Sequence, residues 1–84
     1  MSLKNKLEQE ISALLRLANE RNTEQGKLVC VMAIEQLHHS KSETELLNIL
    51  AKINHSFLGI EAHGHLTQAE YAIVMRLREM AANK

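Results

Sequence analysis

From Ser42 to Met80 the chain reads SETELLNILAKINHSFLGIEAHGHLTQAEYAIVMRLREM, and this stretch decides the fold. Leu46, Leu50, Ile53, Phe57 and Ile60 recur at steps of four and three, the spacing that gathers side chains on one face of a helix. Ala69, Ile73, Leu77 and Met80 make a second such stripe. Between them, His63-Gly64-His65-Leu66-Thr67 supplies a glycine able to take the left-handed conformation that ends a helix and a threonine able to cap the next. Ser42-Glu43-Thr44-Glu45 and Thr67-Gln68-Ala69-Glu70 both match the capping box, in which the first side chain bonds the amide of the fourth residue and the glutamate reaches back. Leu66 and Tyr71 occupy the two positions of a hydrophobic staple across the second box. The stretch therefore predicts a helical hairpin.

Asn54-His55-Ser56 has the composition of a loop, but the apolar stripe runs through it in register to Phe57 and Ile60. Gly64 is a better helix stop than Gly59, and a loop from Asn54 to Leu66 would be long for so small a chain. One helix over 43–62 follows, with Gly59 inside it at a cost of about 1 kcal/mol relative to alanine. The next helix spans 68–82.

Working back from the hairpin, Ser2 caps a helix over 3–20 with Leu3, Leu7, Ile11, Leu14 and Ala18 on one face, widened by Leu15 and Leu17. Asn19 to Asn22 makes a polar break, after which Thr23 caps a helix over 24–39 with Glu24 at its positive end. Leu28-Val29-Cys30-Val31-Met32-Ala33-Ile34 is apolar on every side, as in a buried helix or a buried strand. With no second strand-like run to pair with, it is assigned to the helix, which must then be surrounded by other helices or by a second copy of the chain. A turn follows around His38 to Lys41. There is no proline. Helices of similar length with short connections define an all-α class, a small up-and-down antiparallel four-helix bundle, as a single helical domain over residues 1–84.

The 84 residues are 45% hydrophobic and carry ten basic and ten acidic side chains, so one core is expected and no long-range field attracts nucleic acid or an anionic membrane. Neutrality does not oppose self-association, and a domain this small gains from it. The single Cys30 cannot form an internal disulfide and sits in an apolar run, which fits a buried thiol and a reducing cytoplasm. No apolar stretch approaches the ~18 residues that span a bilayer, and no signal-peptide core opens the chain.

Several constellations invite chemistry. His63 and His65 flank a glycine and, with His38 or His39, could complete a zinc site. No Cys-x-x-Cys or His-Glu-x-x-His supports it. Ala62-His63-Gly64-His65-Leu66 resembles the Ala-His-x-Leu-Lys-Gly motif of histidine phosphotransfer domains, themselves four-helix bundles. The leucine falls one place late, the lysine and second glycine are missing, and the site lies at a helix end instead of mid-helix. The last two helices could be read as a helix-turn-helix with Gln68, Arg76 and Arg78 at a groove, yet basic residues are scattered among as many acids. Cys30 has no histidine at helical spacing nearer than His38, the serines lie at caps or on polar faces, and the three glycines form no phosphate loop.

These features describe a small non-enzymatic regulatory or adaptor protein, cytoplasmic, without cofactor or metal, acting through contacts with a protein partner or as a homodimer. Phe57, His63, His65 and Tyr71, around the hairpin turn, are the candidate partner-binding residues. The alternative is a transcription-linked or nucleoid-associated accessory protein whose DNA contact runs through a partner, or a histidine-based metal-binding or phosphotransfer module.

Overall fold

The computed structural model describes residues 2–62, 64 and 66–82. They form four helices, α1 (Leu3–Arg21), α2 (Glu24–His39), α3 (Glu43–Ala62) and α4 (Gln68–Ala82). Among the described residues there is no strand, and the apolar run Leu28 to Ile34 is helical. Each helix packs on its neighbours in the chain, α4 closes back on α1, and α1 touches α3 across the diagonal. No such contact joins α2 to α4. The molecule measures 32 × 23 × 20 Å, so the longest dimension is that of α3 itself at about 1.5 Å per residue.

The stripes predicted for α1 and α3 form the core. Leu7, Ile11, Leu14 and Ala18 of α1 are buried against Ile49, Leu50, Ile53, Phe57 and Ile60 of α3 and Ile73, Val74 and Leu77 of α4. Helix α3 continues unbroken through Asn54, whose Nδ2 donates to the Leu77 carbonyl oxygen of α4 at 3.3 Å. A polar residue sits inside that helix because it ties two helices together. On α4 the buried face is Glu70, Ile73, Val74 and Leu77. Ala69, placed on the apolar stripe, and Tyr71, placed in the staple, lie about 100° to either side of Glu70 around the helix and are exposed, Tyr71 by 41%.

The helix ends follow local chemistry, with three departures from the sequence reading. Ser2 caps α1 by accepting from the Asn5 amide at 3.1 Å. The break expected at Asn19 shrinks to Asn22, because Asn22 takes the left-handed conformation (φ 56, ψ 43) and its N–H bonds the carbonyls of Ala18 and Asn19. Thr23 gives α2 no side-chain cap; its hydroxyl is turned back to the Ala18 carbonyl at 3.3 Å. Ser42 accepts from the Glu45 amide at 3.2 Å, but Glu45 reaches past it to the Lys41 amide at 3.0 Å. The box at Thr67 is reciprocal: the Glu70 amide donates to Thr67 Oγ1 at 3.2 Å and the Thr67 amide to Glu70 Oε1 at 2.9 Å. Gly64, at φ 71, ends α3 with its N–H on the Glu61 carbonyl at 2.9 Å. The chain after α2 stays helical through His39, and Ser40 caps it.

Gly59 is exposed in mid-helix, and a Cβ there would meet nothing within 4 Å. Gly59→Ala is expected to stabilise the protein by about 0.5–1 kcal/mol, read as a rise of several degrees in a thermal melt followed by circular dichroism.

Candidate functional site

Helix α2 presents the least expected surface. Gly26, Cys30, Ala33 and Leu37 face the core, and the opposite side carries Leu28, Val31 and Met32, exposed by 60%, 45% and 50%. The sequence reading expected this run to be surrounded by other helices or by a second copy of the chain; within one chain, α1 and α3 are the helices that cover it. A helix in a ring of four has two neighbours, here α1 and α3, so an apolar perimeter on α2 leaves its outer side uncovered. Glu24 and Glu35 lie along the same side, and His39 stands at its far end. Alongside, between α2 and α3, runs a groove of about 150 Å³ walled by Val29, Met32, Ala33, Ile49 and Ile53. Single exposed apolar residues are ordinary on a protein surface; here three stand together on consecutive turns of one helix.

Of the candidate residues around the hairpin turn, the two that are described, Phe57 and Tyr71, do not share a surface. Phe57 is 2% exposed and belongs to the core, so it cannot meet a partner: it continues the stripe that faces α1 and α4. Tyr71 is on the surface of α4. His63 and His65 lie outside the described residues. His38 is drawn to α1, its Nε2 standing 3.2 Å from Glu8 Oε2. Among the described residues no three histidine, cysteine, aspartate or glutamate side chains stand close enough together to hold a metal ion.

The arginines considered for a nucleic-acid groove are both taken up by carboxylates of other helices. Arg76 donates Nε to Glu10 Oε2 at 2.6 Å and Nη2 to Glu10 Oε1 at 3.0 Å, a two-pronged bond that joins α4 to α1. Arg78 binds Glu61 of α3. These pairs join helices across the bundle's perimeter. No helix among the described residues is long and apolar enough to cross a membrane.

No protein-family model, curated protein or solved structure matches this chain.

Two features were hidden from sequence reasoning. The outer α2 face could have been suspected from the all-round apolar run, but which side stays open depends on where α1 and α3 settle. The second is Glu70, only 2% exposed and bonded to Arg21 of α1. Its capping role was legible; its burial was not, because the partner lies 49 positions away.

Cys30 is buried on the inner side of α2. Desolvation, with the field of Glu70 added, pushes its thiol up from 9.0 to about 12. The thiolate is the reactive form, so Ellman's reagent at pH 8 is expected to react only as fast as the protein opens, and denaturant should release the reaction. The sign of the pH dependence follows: the unfolded thiol ionises near 9.0 and the folded one near 12, so the stabilisation is complete below 9.0 and is lost as pH climbs toward 12. Chemical denaturation at successive alkaline pH values checks it.

Proposed function

We propose that this chain is a small non-enzymatic regulatory or adaptor protein of a reducing cytoplasm that works by protein–protein contact, with a second copy of itself seated on the outer face of α2. The observation that carries this reading is the exposed triad Leu28, Val31 and Met32 on the side of α2 that α1 and α3 leave open.

Charge favours a second copy over an arbitrary partner. Ten acidic and ten basic residues cancel, so two copies approach without net repulsion. A two-fold axis passing beside Val31 and Met32 runs the two α2 helices antiparallel. Their dipoles then oppose, and Glu24 at the start of one helix lies across from His39 at the end of the other. The apolar triads meet between these polar ends, and the groove against α3 receives a side chain from the opposite copy. One helix face per copy falls short of the ~1,200 Å² from which standard interfaces begin, so the dimer is reversible and sensitive to concentration. Such an equilibrium suits regulation, because a partner offering a longer apolar helix face would displace the second copy.

Val31→Glu places a charge at the centre of this contact, at a position that is itself exposed. It is expected to abolish self-association while changing the melting temperature by no more than a few degrees. Covalent cross-linking at matched concentrations reads the first, and circular dichroism the second. Equal cross-linking in parent and variant would remove α2 from the interface.

A further inference from the structure

Three methionines lie among the described residues, and their sulfurs stand in different surroundings. Met75 is partly buried on α4, and its Sδ accepts from Arg78 Nη1 at 3.7 Å. Met80 is partly buried and packs against the core. Met32 is exposed by 50% on the outer face of α2, where it also walls the groove against α3 beside Val29 and Ile49. A thioether reacts with a two-electron oxidant through a sulfur lone pair, so the reaction needs an open approach to the sulfur. The Arg78 guanidinium engages that lone pair on Met75 and opposes the positive charge sulfur gains as it attacks. Packing shields Met80. Half of Met32 faces solvent. Cys30, the other sulfur-bearing side chain, is buried.

We propose that Met32 is a site of reversible oxidation by hydrogen peroxide, and that its sulfoxide releases the second copy from α2. This rests on the dimer proposed above, because Met32 lies beside its two-fold axis. Met32 Sδ attacks one oxygen of the peroxide, and an S–O bond forms as the O–O bond breaks. The departing hydroxide takes the proton from the transferred oxygen and leaves as water, so sulfur loses two electrons and the peroxide gains them. The reaction takes place on the free protomer, which a reversible dimer supplies and in which Met32 is exposed. The product sits on the side of α2 away from the core, so the fold is kept. As a thioether, Met32 is apolar and adaptable, suited to an irregular apolar contact. As a sulfoxide it carries a strong dipole into a contact made by Leu28, Val31 and Met32 of both copies, where losing its water is unfavourable. Gln36 and Lys52, which line the same groove, are donors the oxygen can use beside water in the free protomer, and an incoming copy would have to displace that arrangement. A thiol-dependent reductase reverses the mark: the oxygen leaves as water while two thiols become a disulfide.

The full chain is treated with hydrogen peroxide over a time course. At each point peptide mass spectrometry reads the sulfoxide fraction at every methionine, and sedimentation equilibrium reads the weight-average mass. Met32 is expected to convert several-fold faster than Met75 and Met80. Its rate should fall as protein concentration enters the range where the untreated chain dimerises, since the dimer covers it. The dimer dissociation constant is expected to rise by about tenfold or more in step with the Met32 sulfoxide, with an unchanged helical circular dichroism spectrum, and methionine sulfoxide reductases should bring it back. Met32→Leu should show the same mass before and after peroxide. Met75 or Met80 converting ahead of Met32 overturns the proposal. So does an untreated chain that dimerises and keeps its mass once Met32 is fully converted, an outcome that leaves the dimer standing. An untreated chain that stays single to millimolar concentration removes the dimer and this proposal with it. The parent time course decides the matter even where Met32→Leu folds poorly.

Discussion

Phe57→Ala is expected to lower the unfolding free energy by about 3–5 kcal/mol, the largest effect of any single truncation in this chain. Phe57 is the single phenylalanine, 2% exposed, and it stands where α3 faces both the α1 and the α4 apolar stripes. Removing the ring enlarges a cavity that the structure already leaves beside it, so neighbouring side chains have little to lean on in closing the gap. A domain of 84 residues has about 4–13 kcal/mol of stability in total, and each kcal/mol lost lowers the melting temperature by about 4–8 °C. Thermal and urea melts should therefore place the variant at the edge of folding at room temperature. A loss under about 1 kcal/mol would mean that Phe57 is not in the core. Tyr71→Ala is the natural contrast: Tyr71 is exposed on α4, and its loss should be small.

The second large effect falls on Glu70. Glu70→Ala removes the reciprocal bonds with Thr67 that begin α4 and the ion pair that fastens α4 to the end of α1 through Arg21. A lost cap costs about 0.5–2 kcal/mol and a hydrogen bond to a charged group about 1.5–3 kcal/mol. Arg21 keeps a third of its side chain in contact with solvent, so on losing its partner it can turn toward water and part of the penalty is recovered. The expected destabilisation is about 2–4 kcal/mol. Hydrogen exchange should locate it, with protection falling first in the opening turns of α4 and the last turn of α1. Combining Arg21→Ala with Glu70→Ala should cost clearly less than the sum of the two single changes, since both remove the same contact.

These two residues also show where sequence reasoning succeeded and where it stopped. The stripe through Leu50, Ile53, Phe57 and Ile60 was legible because helical periodicity is a local property, and it outweighed the loop-like composition of Asn54-His55-Ser56. Both capping boxes were legible for the same reason, since each depends on four consecutive residues. Burial is decided by what arrives from elsewhere in the chain. Glu70 is buried because Arg21 comes from the preceding half of the bundle, and Asn54 sits in a helix because the Leu77 carbonyl of α4 meets its amide. The apolar run of α2 gave the right element and left open whether other helices or a second copy of the chain surround it. Its seven consecutive apolar residues look the same whether four neighbours cover them or two, and a ring of four helices supplies two.

That uncovered face organises the account. The core explains Cys30, Ala33 and Leu37; it gives no reason for Leu28, Val31 and Met32 to be apolar, and a surface contact does. Sedimentation equilibrium of the unmodified chain, carried from micromolar to millimolar concentration, tests this most directly. The account predicts a weight-average mass that climbs from one chain toward two across that range, and that stays at one chain for Val31→Glu. A mass that remains that of a single chain at the highest concentration would contradict it.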